Sequence, residues 1–448
     1  MNVTVIGLGY VGLTNASVLA SFGHDVIGYD INESKIKALK SGIPTINEPG
    51  LLELMKANRE RLHFTSSLEE CFKDTEVVVV AVDTPEKEDG SCDLSRVSMA
   101  IQMIVENVKD SVTIVMKSTV PVGTNRKIKE IIARKSKHPI YIASNPEFLS
   151  QGQAIDNMMN PWRIIVGTDQ PEAHISITVL FEEYYRRGIP IYFTSFESAE
   201  LIKYAANNFL ALKISFINEM ALLCDKVGAD IDMVSKGIGL DPRIGKDFLN
   251  AGIGYGGSCF PKDTKALNWM ATQKDEPLET IKATININKK MPKVFINKIV
   301  KRFNGNLSNV TIAALGLSFK GTTNDVRNSQ SIEVVSSLLK LGAKVVAYDY
   351  QSENEFSKVI GKHPNLKYAI SLSKALQNAD AVAILNDAKE FKNLKVEDYK
   401  KMMKKTPIIF DGRNLYSLQE FEDVEYYSIG RPKIHRYKED GPYKANKK

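Results

Sequence analysis

"VTVIGLGYVGL", residues 3 to 13, is a β-branched run that stops at a glycine and passes straight into helical text. It holds Gly7, Gly9 and Gly12 in a G-x-G-x-x-G arrangement. In such a turn the first glycine permits the tight bend after a strand. The second lets a pyrophosphate approach the backbone, and the third lets the helix pack close. The helix amino terminus then faces the phosphate charge. Asp30 follows at the end of "VIGYD", where a carboxylate hydrogen-bonds ribose hydroxyls and repels a 2′-phosphate. Lys35 is the first cation after it and no Arg occurs in the next twenty residues, so the stretch predicts NAD rather than NADP.

The pattern continues outward from there. Over the first 145 residues "DVIGYD", "EVVVVAV", "VTIVMKS" and "IYIAS" read as strands buried on both faces, separated by stretches with helical spacing. Alternation of that kind predicts an α/β fold with a parallel sheet covered on both sides. From Phe196 to about Val227 there is neither Gly nor Pro, which predicts one long helix with Ser195 or Ser198 as its cap. After a polar linker, "KRFNGNLSN" (301–309), the βα pattern restarts with "VTIAALGLSFKGT".

The restart is a diverged repeat of the beginning. "SVLASFGHDVIGYD" (17–30) and "SSLLKLGAKVVAYD" (336–349) align Gly23 with Gly342 and Asp30 with Asp349. Two Rossmann-like, doubly wound lobes joined by a helical centre are therefore expected. The boundaries read as 1–195 for the NAD-binding lobe, 196–300 for the central helical domain, 301–430 for the second lobe and 431–448 for a basic tail. The second lobe lacks the glycine triplet and offers Lys320 in "GLSFKGT", a cation suited to a phosphorylated ligand other than the dinucleotide.

A chain of 448 residues exceeds one ordinary core. The net charge of +6 does not point to nucleic acid, because residues 431–448 alone carry +5 of it. No apolar run approaches the ~20 residues needed to span a membrane. Cys71, Cys92, Cys224 and Cys259 lie far apart without metal-ligand spacing, so no metal is expected and reduced thiols in a cytoplasm are.

One cysteine has an unusual setting. Cys259 lies in "GYGGSCFPKD" (254–263), approached by glycines and followed by Lys262 and Asp263. Glycines allow backbone amides to face a ligand, and a neighbouring cation favours a thiolate. On the long helix Lys203 and Asn207 share a face, a cation and an amide suited to a developing oxyanion. An NAD site with a nucleophilic cysteine suggests two successive hydride transfers. An alcohol becomes an aldehyde, the thiolate captures it as a thiohemiacetal, a thioester forms, and water releases an acid.

With these residues assembled, the chain resembles the UDP-glucose/GDP-mannose dehydrogenase family. The likeness runs from Met1 to about Tyr416 through "GLGYVGL", "STVPVGT", "NPEFL", "ELIKYAANNFLALKISFINE", "DPRIGKDFLNAGIGYGGSCFPKD", "GLSFKGTTNDVR" and "FDGRN". It implies Cys259 as nucleophile, with Lys203 and Asn207 polarising the sugar C6 oxygen. It implies that Asp263 orients or activates water, that Glu147 is the base for thioester hydrolysis, and that Thr119 contacts cofactor and water. Gly7, Gly9, Tyr10, Val11, Gly12, Asp30, Lys35, Thr84, Thr119 and Arg327 would line the NAD site. Lys320 and Arg413 would hold the nucleotide-sugar together with Glu147, Phe148, Leu149, Lys203, Asn207, Phe248, Leu249, Tyr255 and Gly256. Arg243 would reach the substrate of a neighbouring subunit, giving a homodimer built on the long helix. The implied reaction is four-electron oxidation of UDP-glucose to UDP-glucuronate. The same chemistry on GDP-mannose or a UDP-N-acetylhexosamine is one alternative, and a non-catalytic nucleotide-sugar-binding protein another. The chain departs from the family at Gln151, where many members carry a second glutamate; an amide is no base at neutral pH.

Overall fold

A computed structural model describes residues 1–403 and 405–432; the basic tail from residue 433 onward lies outside the described residues. The chain divides into two compact units, Met1–Ala206 with Trp269–Asp275, and Asn207–Asn268 with Glu276–Lys448.

The first unit is built on an eight-stranded sheet of order β3-β2-β1-β4-β5-β6-β7-β8. Its strands are β1 (Asn2–Ile6), β2 (Asp25–Tyr29), β3 (Leu62–Thr65) and β4 (Val77–Val80), then β5 (Val112–Met116), β6 (Ile140–Ser144), β7 (Ile164–Gly167) and β8 (Ile191–Thr194). The first six are mutually parallel, and the direction reverses at β7, which pairs antiparallel with β6 and parallel with β8. β4 reads "VVVV" with all four residues buried, as a strand covered on both faces requires. Helices fill the two faces and leave two apolar clusters, one around Val5, Leu13 and Val79, the other around Val78, Ile101 and Ile114.

The second unit holds a six-stranded, wholly parallel sheet of order β11-β10-β9-β12-β13-β14. Here the strands are β9 (Thr311–Leu315), β10 (Lys344–Tyr348), β11 (Leu366–Tyr368), β12 (Ala381–Ile384), β13 (Ile408–Asp411) and β14 (Glu425–Tyr427). This order repeats that of the first six strands of the other sheet.

The repeat extends to single hydrogen bonds. Gly7 and Gly316 both have φ near +90°, and each donates its amide to the residue before the paired aspartate, Tyr29 O and Tyr348 O, at 2.9 Å. The next amide goes to the aspartate itself: Leu8 N–H to Asp30 Oδ2 at 2.9 Å, and Leu317 N–H to Asp349 Oδ2 at 2.8 Å. The aligned Gly23 and Gly342 end their helices in the left-handed conformation, as a helix-terminating glycine does.

The long helix spans Phe196–Val227, as its uninterrupted sequence predicts. The Ser198 amide donates to Ser195 Oγ at 3.2 Å, so Ser195 is the cap. The boundary between the compact units falls inside this helix, between Ala206 and Asn207.

Candidate active site

The dinucleotide turn has the constraints its glycines foretell. A Cβ on Gly12 would lie 1.8 Å from the Gly7 carbonyl oxygen, so only glycine lets the helix Tyr10–Ser21 pack onto the turn. A Cβ on Gly9 meets nothing nearer than Asp83 Oδ1 at 3.8 Å. Gly9 precedes the helix, and the space beside it is the approach that a pyrophosphate needs at a helix amino terminus. Asp30 is buried and accepts from the Leu8 amide and from Lys35 Nζ at 2.6 Å. Burial pushes its carboxyl up, but the Lys35 ammonium and the amides of Asn32 and Leu8 outweigh burial and hold it below the usual range. These residues fit a dinucleotide with free ribose hydroxyls.

At the carboxyl ends of the neighbouring strands, Thr84 Oγ1 donates to Thr119 O at 2.8 Å, tying two expected cofactor contacts together. Tyr10 is held less by the turn than by Glu48. This buried carboxylate takes the Tyr10 phenol and the amides of Gly152 and Ala154, the latter two at 2.7 and 2.6 Å. Val11 lies within the helix's first turn.

Glu147 and Lys203 form a buried ion pair, Lys203 Nζ to Glu147 Oε1 at 2.9 Å with side chains 8% and 3% exposed for Glu147 and Lys203. The second carboxylate oxygen accepts the Leu149 amide at 2.5 Å. Burial raises the Glu147 carboxyl; Lys203, the Leu149 amide and Lys117 together reverse that and leave it below the ordinary range. Phe148 is half-buried with two cations against its ring, the Arg163 guanidinium 3.7 Å and Lys203 Nζ 5.3 Å from its centre. Gln151 is half-buried in the turn that follows.

In the second unit Cys259 immediately precedes the helix Phe260–Thr272, with Pro261 in the first turn where its missing N–H costs nothing. The positive end of a helix dipole stabilises a negative charge placed there. Cys259 Sγ lies 3.7 Å from Ser258 Oγ, and the Asp263 amide donates to Cys259 O at 2.8 Å. Asp263 is 1% exposed; it accepts from Asn207 Nδ2 at 2.7 Å and forms an ion pair with Lys262 Nζ. Cysteine, carboxylate, amide and ammonium thus share one helix turn and its neighbour.

The glycines before Cys259 serve packing more than amide display. A Cβ on Gly256 would lie 2.4 Å from Asn328 O, and one on Gly254 would lie 2.5 Å from Asn288 Oδ1. The Gly257 amide donates to Arg327 O at 2.9 Å and the Tyr255 amide to Asn288 Oδ1 at 2.8 Å, so these two donors are used within the protein. Tyr255 is buried and meets Phe260 edge-on; burial pushes its phenol up to about 12. Phe248 has φ 64°, rare for a bulky side chain and a conformation that clusters at functional loops. Leu249 beside it is buried, its carbonyl taking Ser235 Oγ–H at 2.6 Å.

The arginines expected to bind differ in setting. Arg413 spends three donors on backbone carbonyls, those of Leu385, Gly254 and Phe319 at 2.9, 2.9 and 3.4 Å, and does not pair its guanidinium with Asp411. Arg327 and Arg243 each grip an aspartate two residues upstream, Asp325 and Asp241, with closest approaches of 2.6 Å. The Arg243 side chain is 87% exposed. Lys320 is half-buried with Nζ 5.6 Å from the Phe319 ring centre. In this lobe Asp349 also takes Asn386 Nδ2 at 3.2 Å, and Asn386 and Ser318 are fully buried. The carboxylate equivalent to Asp30 is consumed internally.

The chain matches three successive stretches of one family: its NAD binding domain over residues 1–187, its central domain over 197–290 and its UDP binding domain over 313–418. It belongs to the UDP-glucose/GDP-mannose dehydrogenase family. Within that family it is 43% identical over 440 residues to the UDP-glucose 6-dehydrogenase YwqF of Bacillus subtilis (strain 168), covering 97% of this chain and 98% of that one. The solved UDP-glucose dehydrogenase of Pyrobaculum islandicum is 34% identical with a TM-score of 0.88, over 95% of this chain and 96% of the other. A UDP-D-ManNAc dehydrogenase from Pyrococcus horikoshii is 29% identical with a TM-score of 0.84, over 96% and 99%. This family member therefore uses NAD, and the stretch matching the NAD binding domain lies in its first unit. No described helix is long and apolar enough to cross a membrane.

Two polar residues escaped the sequence reading. Glu48 and Lys117 are both buried. The signal for Lys117 was its place directly after the strand text of "VTIVM", the end of an α/β strand where ligands bind.

Proposed function

We propose that this chain oxidises UDP-glucose to UDP-glucuronate, with Cys259 carrying the substrate between the two oxidations. The observation that carries the reading is the set at the start of the Phe260–Thr272 helix, where half-buried Cys259 and Lys262 stand with buried Asp263 and Asn207. NAD, when bound, accepts a hydride in each oxidation. Lys203 and Asn207 donate to the sugar C6 oxygen as charge develops on it, donors of this kind being worth roughly 3 kcal/mol each. The Cys259 thiolate adds to the aldehyde carbon and forms a thiohemiacetal. That adduct keeps the aldehyde's C–H bond and restores an O–H; the second oxidation takes hydride from the carbon and a proton from the oxygen, and its product is a thioester. Glu147 takes a proton from the water that attacks the thioester, with Asp263 and Thr119 orienting water. Cys259 leaves as thiolate and the acid departs.

Lys320 and Arg413 hold the UDP diphosphate in this reading. Phe148, Leu149, Phe248, Leu249, Tyr255 and Gly256 surround the sugar and nucleotide. Gly7, Gly9, Tyr10, Val11, Gly12, Lys35, Thr84 and Arg327 flank the dinucleotide. UDP-glucose is favoured over other nucleotide sugars because the 43% identical relative bears that name, against 29% for the UDP-D-ManNAc enzyme. Arg243 serves a neighbouring subunit in a homodimer. Phe209, Phe216 and Leu223, seven residues apart on the long helix, and then Val227, are all exposed and supply an apolar contact for it. A reducing cytoplasm suits the four cysteines, which form no disulfide.

The reading is tested by NADH formed per UDP-glucose consumed, with sugar limiting. Two is expected. One means that the aldehyde leaves without meeting Cys259, and none sends the search to other nucleotide sugars.

Asp30→Asn is expected to raise KM for NAD by roughly tenfold, the worth of a charged hydrogen bond. KM for NADP should fall relative to NAD, since the repulsion of a 2′-phosphate is gone. An unchanged NAD/NADP ratio would remove Asp30 from the ribose.

A further inference from the structure

Lys117 is a buried lysine for which the reaction above has no use. It lies one residue past β5, and its backbone is fixed by Lys117 N–H donating to Val80 O at 2.9 Å. On the other side of β5, Met116 is in register with Ser144 of β6, and the Asn145 amide donates to Met116 O at 2.9 Å. Adjacent parallel strands therefore deliver Lys117 from one carboxyl end and Glu147 three residues beyond the other. Lys203 arrives from the long helix and donates to Glu147.

The three groups are charged neighbours: Lys117 is acted on by Glu147 and Lys203, and Glu147 by Lys203 and Lys117. Burial lowers the Lys117 ammonium, Glu147 raises it and Lys203 lowers it again, leaving it at about 8. It is still mainly charged at neutral pH.

Two cations for one carboxylate is more than an ion pair needs, and the surplus has a use. Lys203 directs one of its three N–H bonds at Glu147. As it turns toward a substrate oxygen, a buried carboxylate with no other cation would take up a proton, because burial strongly disfavours a lone charge. A protonated Glu147 cannot accept a proton from water.

We infer that Lys117 is a positioning residue whose ammonium keeps Glu147 ionised while Lys203 serves the substrate. This rests on Glu147 being the base, as proposed above. The sign follows directly. Removing a cation raises the Glu147 pKa, so any rate that needs its carboxylate loses its acid limb at higher pH.

The test compares wild type with Lys117→Met and Lys117→Arg. Glu147 titration is followed by NMR on protein with 13C-carboxyl glutamate, the signal being identified by Glu147→Gln. The acid limb of NADH formation is measured alongside. In Lys117→Met the Glu147 signal should titrate about one pH unit higher or more, and the acid limb should move the same way. The rate on that limb then falls about tenfold. Lys117→Arg should restore both. Lys117→Gln replaces the Met variant if that fails to fold. An unmoved Glu147 titration in a folded neutral variant overturns the inference. Because titration needs no turnover, a shifted signal in protein inactive on UDP-glucose supports the inference while rejecting the reaction.

Discussion

Replacing Cys259 by alanine lowers acid formation from UDP-glucose by at least about a thousandfold, the scale on which loss of a covalent nucleophile acts. The expectation comes from the order of events. Without the thiolate adduct the C6 carbon bears no hydroxyl that can lose a proton as hydride leaves the carbon, so oxidation halts after one step. Little else should change. Cys259 is half-buried and its backbone bond to the Asp263 amide does not involve the sulfur, so the helix start survives the substitution. KM for NAD should therefore stay within a few-fold, and thermal unfolding within a few degrees. Cys259→Ser separates nucleophile from shape, since it keeps a hydroxyl but makes an oxygen ester that hydrolyses slowly. In that variant a covalent adduct on the introduced hydroxyl is expected by mass spectrometry after mixing with NAD and UDP-glucose. If Cys259→Ala still yields two NADH per sugar at an ordinary rate, the covalent route is wrong.

The fold was legible where local chemistry and long-range order agree. The Gly23–Asp30 and Gly342–Asp349 repeats could be aligned because each ends a helix, starts a strand and places a carboxylate at its carboxyl end. The structure adds that both aspartates accept the amide after a positive-φ glycine. The Phe196–Val227 helix was visible because nothing in it breaks a helix. β3, β7 and β8, four residues each, were not anticipated; β4 is as short, but its unbroken run of four valines marks it. The reversal at β7 follows from pairing with β6, which local sequence does not encode.

The site divides the same way. Cys259 and Asp263 were legible because chemistry and helix start lie within one short motif. Asn207 meets Asp263 across fifty-six residues of sequence, and only family motifs put them in one argument. Glu48 shows the limit. Its carboxylate binds amides 104 and 106 residues away, and no spacing rule anticipates such a pair. Lys117 passed unremarked inside the strand text "VTIVMKS", because only its burial in the fold gives it charged neighbours.

Asp263→Asn carries the second large effect, a fall in kcat of about a hundredfold to a thousandfold with KM for UDP-glucose within a few-fold. The two residues have the same shape, so the loss reports charge. Asn207 Nδ2 donates to Asp263 Oδ2 at 2.7 Å, and Lys262 Nζ pairs with the same carboxylate. An amide in its place weakens both contacts and leaves the Lys262 cation without that carboxylate. Breaking a buried charged hydrogen bond costs about 1.5–3 kcal/mol, so a lower melting temperature is expected as well. Stability alone would slow every step alike by lowering the amount of folded enzyme. A role in orienting water would not: it would slow hydrolysis specifically, and the Cys259 thioester would accumulate after a rapid release of two NADH. Acid quenching followed by mass spectrometry distinguishes the two. A thioester adduct in folded Asp263→Asn assigns the carboxylate to hydrolysis. Its absence, with the first oxidation slowed instead, moves Asp263 to holding Asn207 against the C6 oxygen. Full activity in the variant would leave the buried charge with no part in the reaction.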